Sequence, residues 1–149
     1  MAGFTNLAET DFLDLFFTNV AFPNVGDAAG LPPSVATDGA FAIAAHTGDA
    51  ITDASTVLTD NECDYTGYSR PSYNRGTGTW TVTGDTASND ALIQFGEMTS
   101  GASDTITDVS IGFATASPMQ IWGQVTADLI VNIGVNPQLA INALDVTID

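Results

Sequence analysis

The spacing of the apolar residues changes once along this chain, near Gly39, and this change restricts the fold more than any other feature. Between Leu7 and Phe17 the apolar residues recur at the 3.6-residue spacing of a helix. After Gly39, short segments follow the two-residue period of β-strands. The sequence therefore predicts one N-terminal helix followed by a domain of strands.

The predicted helix extends over residues 6–18. Thr5 or Asn6 is its expected N-cap, and Glu9 follows Asn6 by three residues, in the position of a capping box. The helix is expected to end by Asn19. Its apolar face is large for so short an element, so we expect its aromatic side chains to be buried against another surface.

A connector rich in turn-forming residues, Pro23–Gly39, separates the helix from the predicted strands. Fifteen of the 18 acidic residues are Asp, which suits turns between strands. One of the predicted turns is Gly84–Asn89. Short strands without a second helical pattern predict a mainly β fold, an antiparallel β-sandwich or jelly roll with one short N-terminal helix. Residues 1–39 would form the helix and connector, and residues 40–149 the β-sandwich domain. The predicted strands are Ala40–Thr47, Thr79–Thr83, Ala91–Met98, Ile106–Ala114, Met119–Val131 and Leu139–Ile148.

The charge of the chain excludes several classes of function. Its 149 residues include two Arg, no Lys and 18 Asp or Glu, a net charge of -16. No basic patch is available to neutralise phosphates, so we predict no binding to nucleic acid or to an anionic membrane surface. The apolar runs are too short to span a bilayer, and the first residues do not resemble a signal peptide. These features predict folding in a cytoplasm.

Residue types used in catalysis are sparse. His46, followed by carboxylates, is either a general base or, as we favour, a strand-end histidine at the surface or bonded to a loop. Cys63 lies between Glu62 and Asp64, whose negative charge raises a thiol pKa, so we interpret it as inert. No nucleophile elbow is present. We predict no catalytic residue, no cofactor and no enzymatic activity.

Pairs of Asp residues four apart raise the hypothesis of a calcium site, because hard cations bind clustered oxygen atoms. None of the pairs has the alternating spacing of a calcium loop with a distal glutamate. We favour their interpretation as solvated turn residues and predict no metal site. The pairs are Asp49/Asp53, Asp60/Asp64 and Asp104/Asp108.

The two arginines lie close together in a segment rich in Tyr and Trp. These three residue types dominate binding hot spots, which suggests a contact surface. Internal pairing of the arginines with carboxylates is an equally good interpretation. We combine them with the N-terminal apolar residues into one predicted interface: Phe4, Leu7, Phe12, Phe16, Phe17, Arg70 and Arg75.

Several segments along most of the chain resemble a group of small structural proteins of tailed phages that are often described as tail-fibre proteins. Two segments, Ile121–Gln124 and the connector Pro23–Asp38, depart from the pattern of that group. None of the shared segments carries a catalytic motif, so the resemblance implies a structural protein of the virion. The matching segments include Met1–Glu9, Phe41–Thr47, Gly67–Arg70, Ile106–Thr115, Met119–Thr126 and Leu144–Asp149.

Two structural roles remain open after this resemblance. We predict a capsid decoration, or cement, protein that binds the major capsid protein on the head surface as a homotrimer, because the compact chain has no repeats or shaft sequence. The alternative is a tail or tail-fibre-associated subunit for structure or adhesion. The segment Met1–Phe17 would make the contacts between subunits or with the capsid. The alternative role of this segment is that its helix covers one face of the chain's own β-sandwich.

Overall fold

The computed structural model of the protein describes residues 4–23, 25, 30, 39–76, 78–113 and 118–148. The fold is mainly antiparallel β, with 43% strand, 10% helix and one short N-terminal helix. This confirms the predicted fold class and is consistent with a β-sandwich. Most of the predicted connector Pro23–Gly39, and the end of the predicted strand Ile106–Ala114, lie outside the described residues.

The chain divides into two compact units. The first contains residues 1–39, 74–92 and 139–149, and the second contains residues 40–73 and 93–138. The domain bounds given by the sequence stay a prediction. The strands are β1 (Ala40–His46), β2 (Ser72–Asn74), β3 (Trp80–Thr83), β4 (Thr86–Asn89), β5 (Ile93–Gln94), β6 (Asp104–Phe113), β7 (Met119–Val131), β8 (Gln138–Leu139) and β9 (Asp145–Thr147).

The first unit begins with helix α1 (Asn6–Leu13), which continues as a π-helical turn (Asp14–Thr18). Of the two predicted N-caps, Thr5 is the one used, since its hydroxyl accepts from the backbone N–H of Ala8 at 3.4 Å. The helical segment ends at Asn19, whose left-handed backbone (φ 59°) is a common way to close a helix. Its predicted extent is therefore correct.

A three-stranded antiparallel sheet, in the order β3-β4-β9, completes the core of the first unit. Leu13 and Phe17 lie one helical turn apart and are both buried. The ring of Phe17 lies 4.8 Å from that of Trp80, which is also buried. The apolar side of the helical segment thus packs on this sheet, as an amphipathic helix of this length requires.

The second unit is built on a four-stranded sheet in the order β2-β1-β6-β7. Strands β1 and β6 are antiparallel, with Phe41 opposite Phe113 and His46 opposite Asp108. Both are buried over most of their length, as expected for central strands, whereas the 13-residue β7 is an edge strand and largely exposed. Residues of both faces of β1 therefore belong to the core.

Strand prediction was wrong in four regions. Of the predicted strand Ala91–Met98, only Ile93–Gln94 forms a strand (β5), and Gly96 after it has a left-handed backbone (φ 92°). Strand β2 lies where no strand was predicted. The predicted strand Leu139–Ile148 is split into β8 and β9 because Asn89 holds the intervening turn, accepting through Oδ1 from the N–H groups of Ala143 (3.1 Å) and Leu144 (2.8 Å). The predicted turn Gly84–Asn89 contains β4, whose polar residues pair on both sides with β3 and β9.

Candidate functional site

The exposed side of the N-terminal helical segment, together with Phe4 just before it, carries large apolar side chains. Phe4 and Leu7 are 67% and 72% exposed, and Phe12 is 47% exposed. Phe16 is half-buried, and its ring stacks on that of Phe12 at 6.3 Å. Burying such side chains on assembly would gain about 1.5–3 kcal/mol for each full side chain. This side of the helix has the composition of a contact surface.

Two members of the predicted interface have roles within the first unit. Phe17 is fully buried and belongs to the core. The Arg75 guanidinium donates to the carbonyl oxygen of Phe16 at 2.6 Å and to that of Leu15. These carbonyls belong to the last turn of the helical segment, where a cation also compensates the negative end of the helix dipole. Arg75 therefore stabilises the end of the segment that carries the exposed apolar residues.

Arg70 lies in the second unit and pairs with Glu62. Its Nε donates to Glu62 Oε1 at 2.9 Å, and its Nη2 forms an ion pair with Oε2. Hydrogen bonding to Glu62 raises the pKa of Arg70. The hydroxyl of Tyr68 also donates to Glu62 Oε1, at 2.7 Å, and accepts from the N–H of Ala45 at 3.1 Å. This bidentate pair fixes a loop on β1, which is the internal pairing that the sequence left open.

His46 is fully buried and bonded on both ring nitrogens. Nδ1 lies 2.7 Å from the carbonyl oxygen of Asp60, which can only accept, so Nδ1 carries the proton. Nε2 therefore accepts from the Ser110 hydroxyl at 2.6 Å. Burial lowers the pKa of His46, which favours this neutral form. A Ser–His pair resembles a nucleophile and its base, but Ser110 is only 1% exposed, so no substrate reaches it.

Cys63 is buried beside acidic groups. Burial first, and then Asp104 and the carboxylates of Glu62 and Asp64, raise the pKa of the thiol to about 12. The thiolate form needed for nucleophilic attack or metal binding is thus suppressed at neutral pH.

The predicted Asp pairs do not converge on a cation site. Among the described residues, no group of three or more His, Cys, Asp or Glu side chains is arranged to hold a metal ion. Asp60 Oδ2 accepts from the N–H of Thr56 at 3.3 Å, and buried Asp108 Oδ2 accepts from Thr107 at 2.8 Å. Asp60 thus bonds within its own loop, and Asp108 bonds to its neighbour within β6. Within the same described ranges, no helix is long and apolar enough to cross a membrane.

Sequence reasoning missed a pocket on the second unit, between the loop after β1 and the start of β7. Its volume is about 400 Å³, and it is lined by Asp53, Ser55, Thr56, Met119, Gln120 and Trp122. Trp122 Nε1 donates to Asp53 Oδ1 at 3.2 Å. The two residues are 69 apart in the chain, so no motif spacing could have joined them. The only sequence signal was the departure of Ile121–Gln124 from the phage-protein pattern.

Comparison with known protein families identifies the family of this chain. A family model described as "Podophage GP4 fiber I protein gp80" matches residues 3–147, nearly the whole chain. The chain belongs to this family. Its membership confirms the resemblance to structural proteins of the tail-fibre type and implies a protein of the phage virion. A search of curated proteins found no match.

Proposed function

We propose that the protein is a non-enzymatic structural subunit of a phage fibre, located on the tail side of the virion, and that it assembles as a homotrimer. The observation that carries this proposal is the match of the fibre family over residues 3–147. It favours the fibre alternative over capsid decoration, for which the partner would be the major capsid protein. The burial of the Ser110–His46 pair supports a role without catalysis.

Location on the virion is tested by labelling intact phage with antibody fragments raised against this chain and imaging by electron microscopy. Label on the fibres or tail is the expected result. Label confined to the head would overturn the proposal and favour capsid decoration. A phage lacking this gene product serves as the control for the specificity of the label.

The exposed side of the N-terminal helical segment is the proposed contact surface between subunits. Closed cyclic symmetry buries such a surface without producing open-ended filaments. Light scattering should give the mass of a trimer for the unchanged chain and a smaller mass for Leu7→Ser. Ile141→Ser is the matched control, because Ile141 is 57% exposed on the same unit but lies outside the helix. Equal effects of the two substitutions on the measured mass would contradict the assignment of this surface as the subunit contact. A monomeric mass for the unchanged chain would contradict it as well.

Salt should strengthen the assembly. Each copy has a net charge of -16, so subunits repel one another, and salt screens this repulsion over about 8–10 Å at ordinary ionic strength. Sedimentation at increasing NaCl concentration should show a rising trimer fraction. A trimer that dissociates steadily as salt is added would indicate attraction between opposite charges instead.

A further inference from the structure

The pocket at Trp122 combines an aromatic side chain with short polar ones. Hydroxyl, amide and carboxylate groups come from Ser55, Thr56, Gln120 and Asp53, and Trp122 is half-buried. A sugar ring has two kinds of surface that match this set: apolar C–H groups that pack on an indole, and hydroxyls that bond to polar side chains. The volume of about 400 Å³ falls within the range of about 300–1,000 Å³ for small-molecule sites.

The polar groups retain hydrogen-bonding capacity for a ligand. Asp53 Oδ1 accepts from Trp122 Nε1, which fixes the orientation of the indole and leaves Oδ2 to accept from a hydroxyl. Gln120 uses Nε2 to donate to the carbonyl oxygen of Met119 at 3.2 Å, so its Oε1 also remains an acceptor. The lining thus offers acceptors beside an oriented aromatic ring, a combination suited to a polyol.

The walls of the pocket are held before any ligand arrives. The N–H of Met119 donates to the carbonyl oxygen of Thr56 at 3.0 Å, which joins the loop to the first residue of β7. The side chain of Met119 packs on a buried cluster of Ala42, Ala44 and Leu58. A preformed site loses less conformational entropy on binding than one that must be ordered.

Charge restricts the class of sugar. Among the described residues, the lining contains one carboxylate and no Lys, Arg or His, and the whole chain has a net charge of -16. An acidic sugar would place its carboxylate or phosphate near Asp53 without a cation to compensate it. A neutral sugar meets no such repulsion.

We propose that the pocket formed by Asp53, Gln120 and Trp122 binds a neutral saccharide. The inference rests on the proposed fibre function only for the source of that ligand, which would be a glycan of the host surface. Binding to free sugars tests the site itself, and labelling of the virion tests the location. Tail labelling without sugar binding would overturn this site alone, whereas sugar binding with head labelling would overturn the fibre proposal alone.

The first experiment measures binding of the intact chain to an array of neutral and acidic glycans. Dense display compensates for weak single sites through multivalency. Binding to neutral glycans, and much weaker binding to glycans that carry uronate, sialate or phosphate, is the expected result. No binding to any neutral glycan, or a preference for acidic ones, would overturn the proposal. Displacement of the glycan by a lysine-rich peptide would also overturn it, because the pocket would then bind cations.

Fluorescence distinguishes this pocket from other surfaces. The chain has two tryptophans, and Trp80 is buried in the first unit, so acrylamide quenches mainly Trp122. A bound sugar should protect Trp122 from quenching. Trp122→Ala should weaken binding about tenfold or more, as expected for loss of a central aromatic contact. Unchanged affinity in this variant would place the binding elsewhere.

Two further variants keep the proposal testable if Trp122→Ala misfolds. Gln120→Ala should weaken binding about threefold to tenfold, and Gln124→Ala should leave it unchanged. Both glutamines are exposed on β7, but Gln124 does not line the pocket. Asp53→Asn keeps the size of the side chain and removes its charge. It should weaken the binding of neutral glycans, and it should reduce the ratio of the affinity for neutral glycans to the affinity for acidic glycans. An unchanged preference in Asp53→Asn, or equal losses in the two glutamine variants, would overturn the assignment.

Discussion

Replacing Phe17 with alanine tests whether the N-terminal helix belongs to the core of its unit. The side chain is fully buried, and its ring lies 4.8 Å from that of Trp80. Truncating a buried Phe to Ala costs about 3–5 kcal/mol, of which the aromatic pair accounts for about 0.5–1.5 kcal/mol. That loss is a large share of the free energy of unfolding of a typical domain, about 5–15 kcal/mol.

Phe12→Ala is the matched control on the same helix. Phe12 is 47% exposed, so its side chain buries less apolar surface than that of Phe17. Its truncation should therefore lower the free energy of unfolding by only about 1 kcal/mol. Both variants are made in a Leu7→Ser, Trp122→Phe background, because Phe12 also belongs to the proposed contact surface between subunits and assembly would add to its loss. Unfolding by urea is followed by the fluorescence of Trp80 and by far-UV circular dichroism. Equal losses for the two variants, or a loss below about 1 kcal/mol for Phe17→Ala, would refute the placement of Phe17 in the core.

Three further predictions concern the second unit. Cys63 in the folded chain should react with a thiol reagent orders of magnitude more slowly than in urea, because its pKa is raised to about 12. Gly67→Ala should cost at least about 1–3 kcal/mol in urea unfolding, since its φ is +105° and a Cβ would lie 2.0 Å from the carbonyl oxygen of Glu97. Acidification below pH 6.5 should reduce the free energy of unfolding, because burial lowers the pKa of His46 and the unfolded chain binds the proton more tightly. His46→Gln should remove the pH dependence of the free energy of unfolding between pH 6.5 and about 5, where carboxylates titrate little. An unchanged pH dependence in this variant would contradict the role of His46.

The sequence predicted the parts of the fold whose limits are set by local chemistry. The strand Met119–Val131 has the predicted bounds, with Pro118 before it and a turn at Gly134 (φ 85°) after it. The helical segment likewise begins at a capping threonine and ends at Asn19. Local hydrogen bonds and backbone preferences act over a few residues, so they can be recognised without the rest of the fold.

The sequence could not predict features that depend on distant partners. Strand β4 is polar and lies within a predicted turn, and it becomes a strand because β3 and β9 supply hydrogen bonds on both sides. The pocket also depends on contacts across the fold, since Trp122 lies on β7, which pairs with β6, while Asp53 lies in a loop 69 residues earlier in the chain. Tertiary pairing determines such features more strongly than intrinsic propensity.

The loop between β1 and Cys63 explains why the roles of His46 and Asp53 were difficult to assign from sequence. Its Leu58 is fully buried and packs beside β1, and its Asp60 carbonyl accepts from the buried His46 ring. The same loop carries Asp53 to the rim of the pocket. A histidine followed within a few residues by an aspartate suggested a general base. In the structure, however, these two residues lie in opposite environments. His46 is bonded within the core and stabilises the loop, whereas Asp53 lies at the surface, where it can meet a ligand.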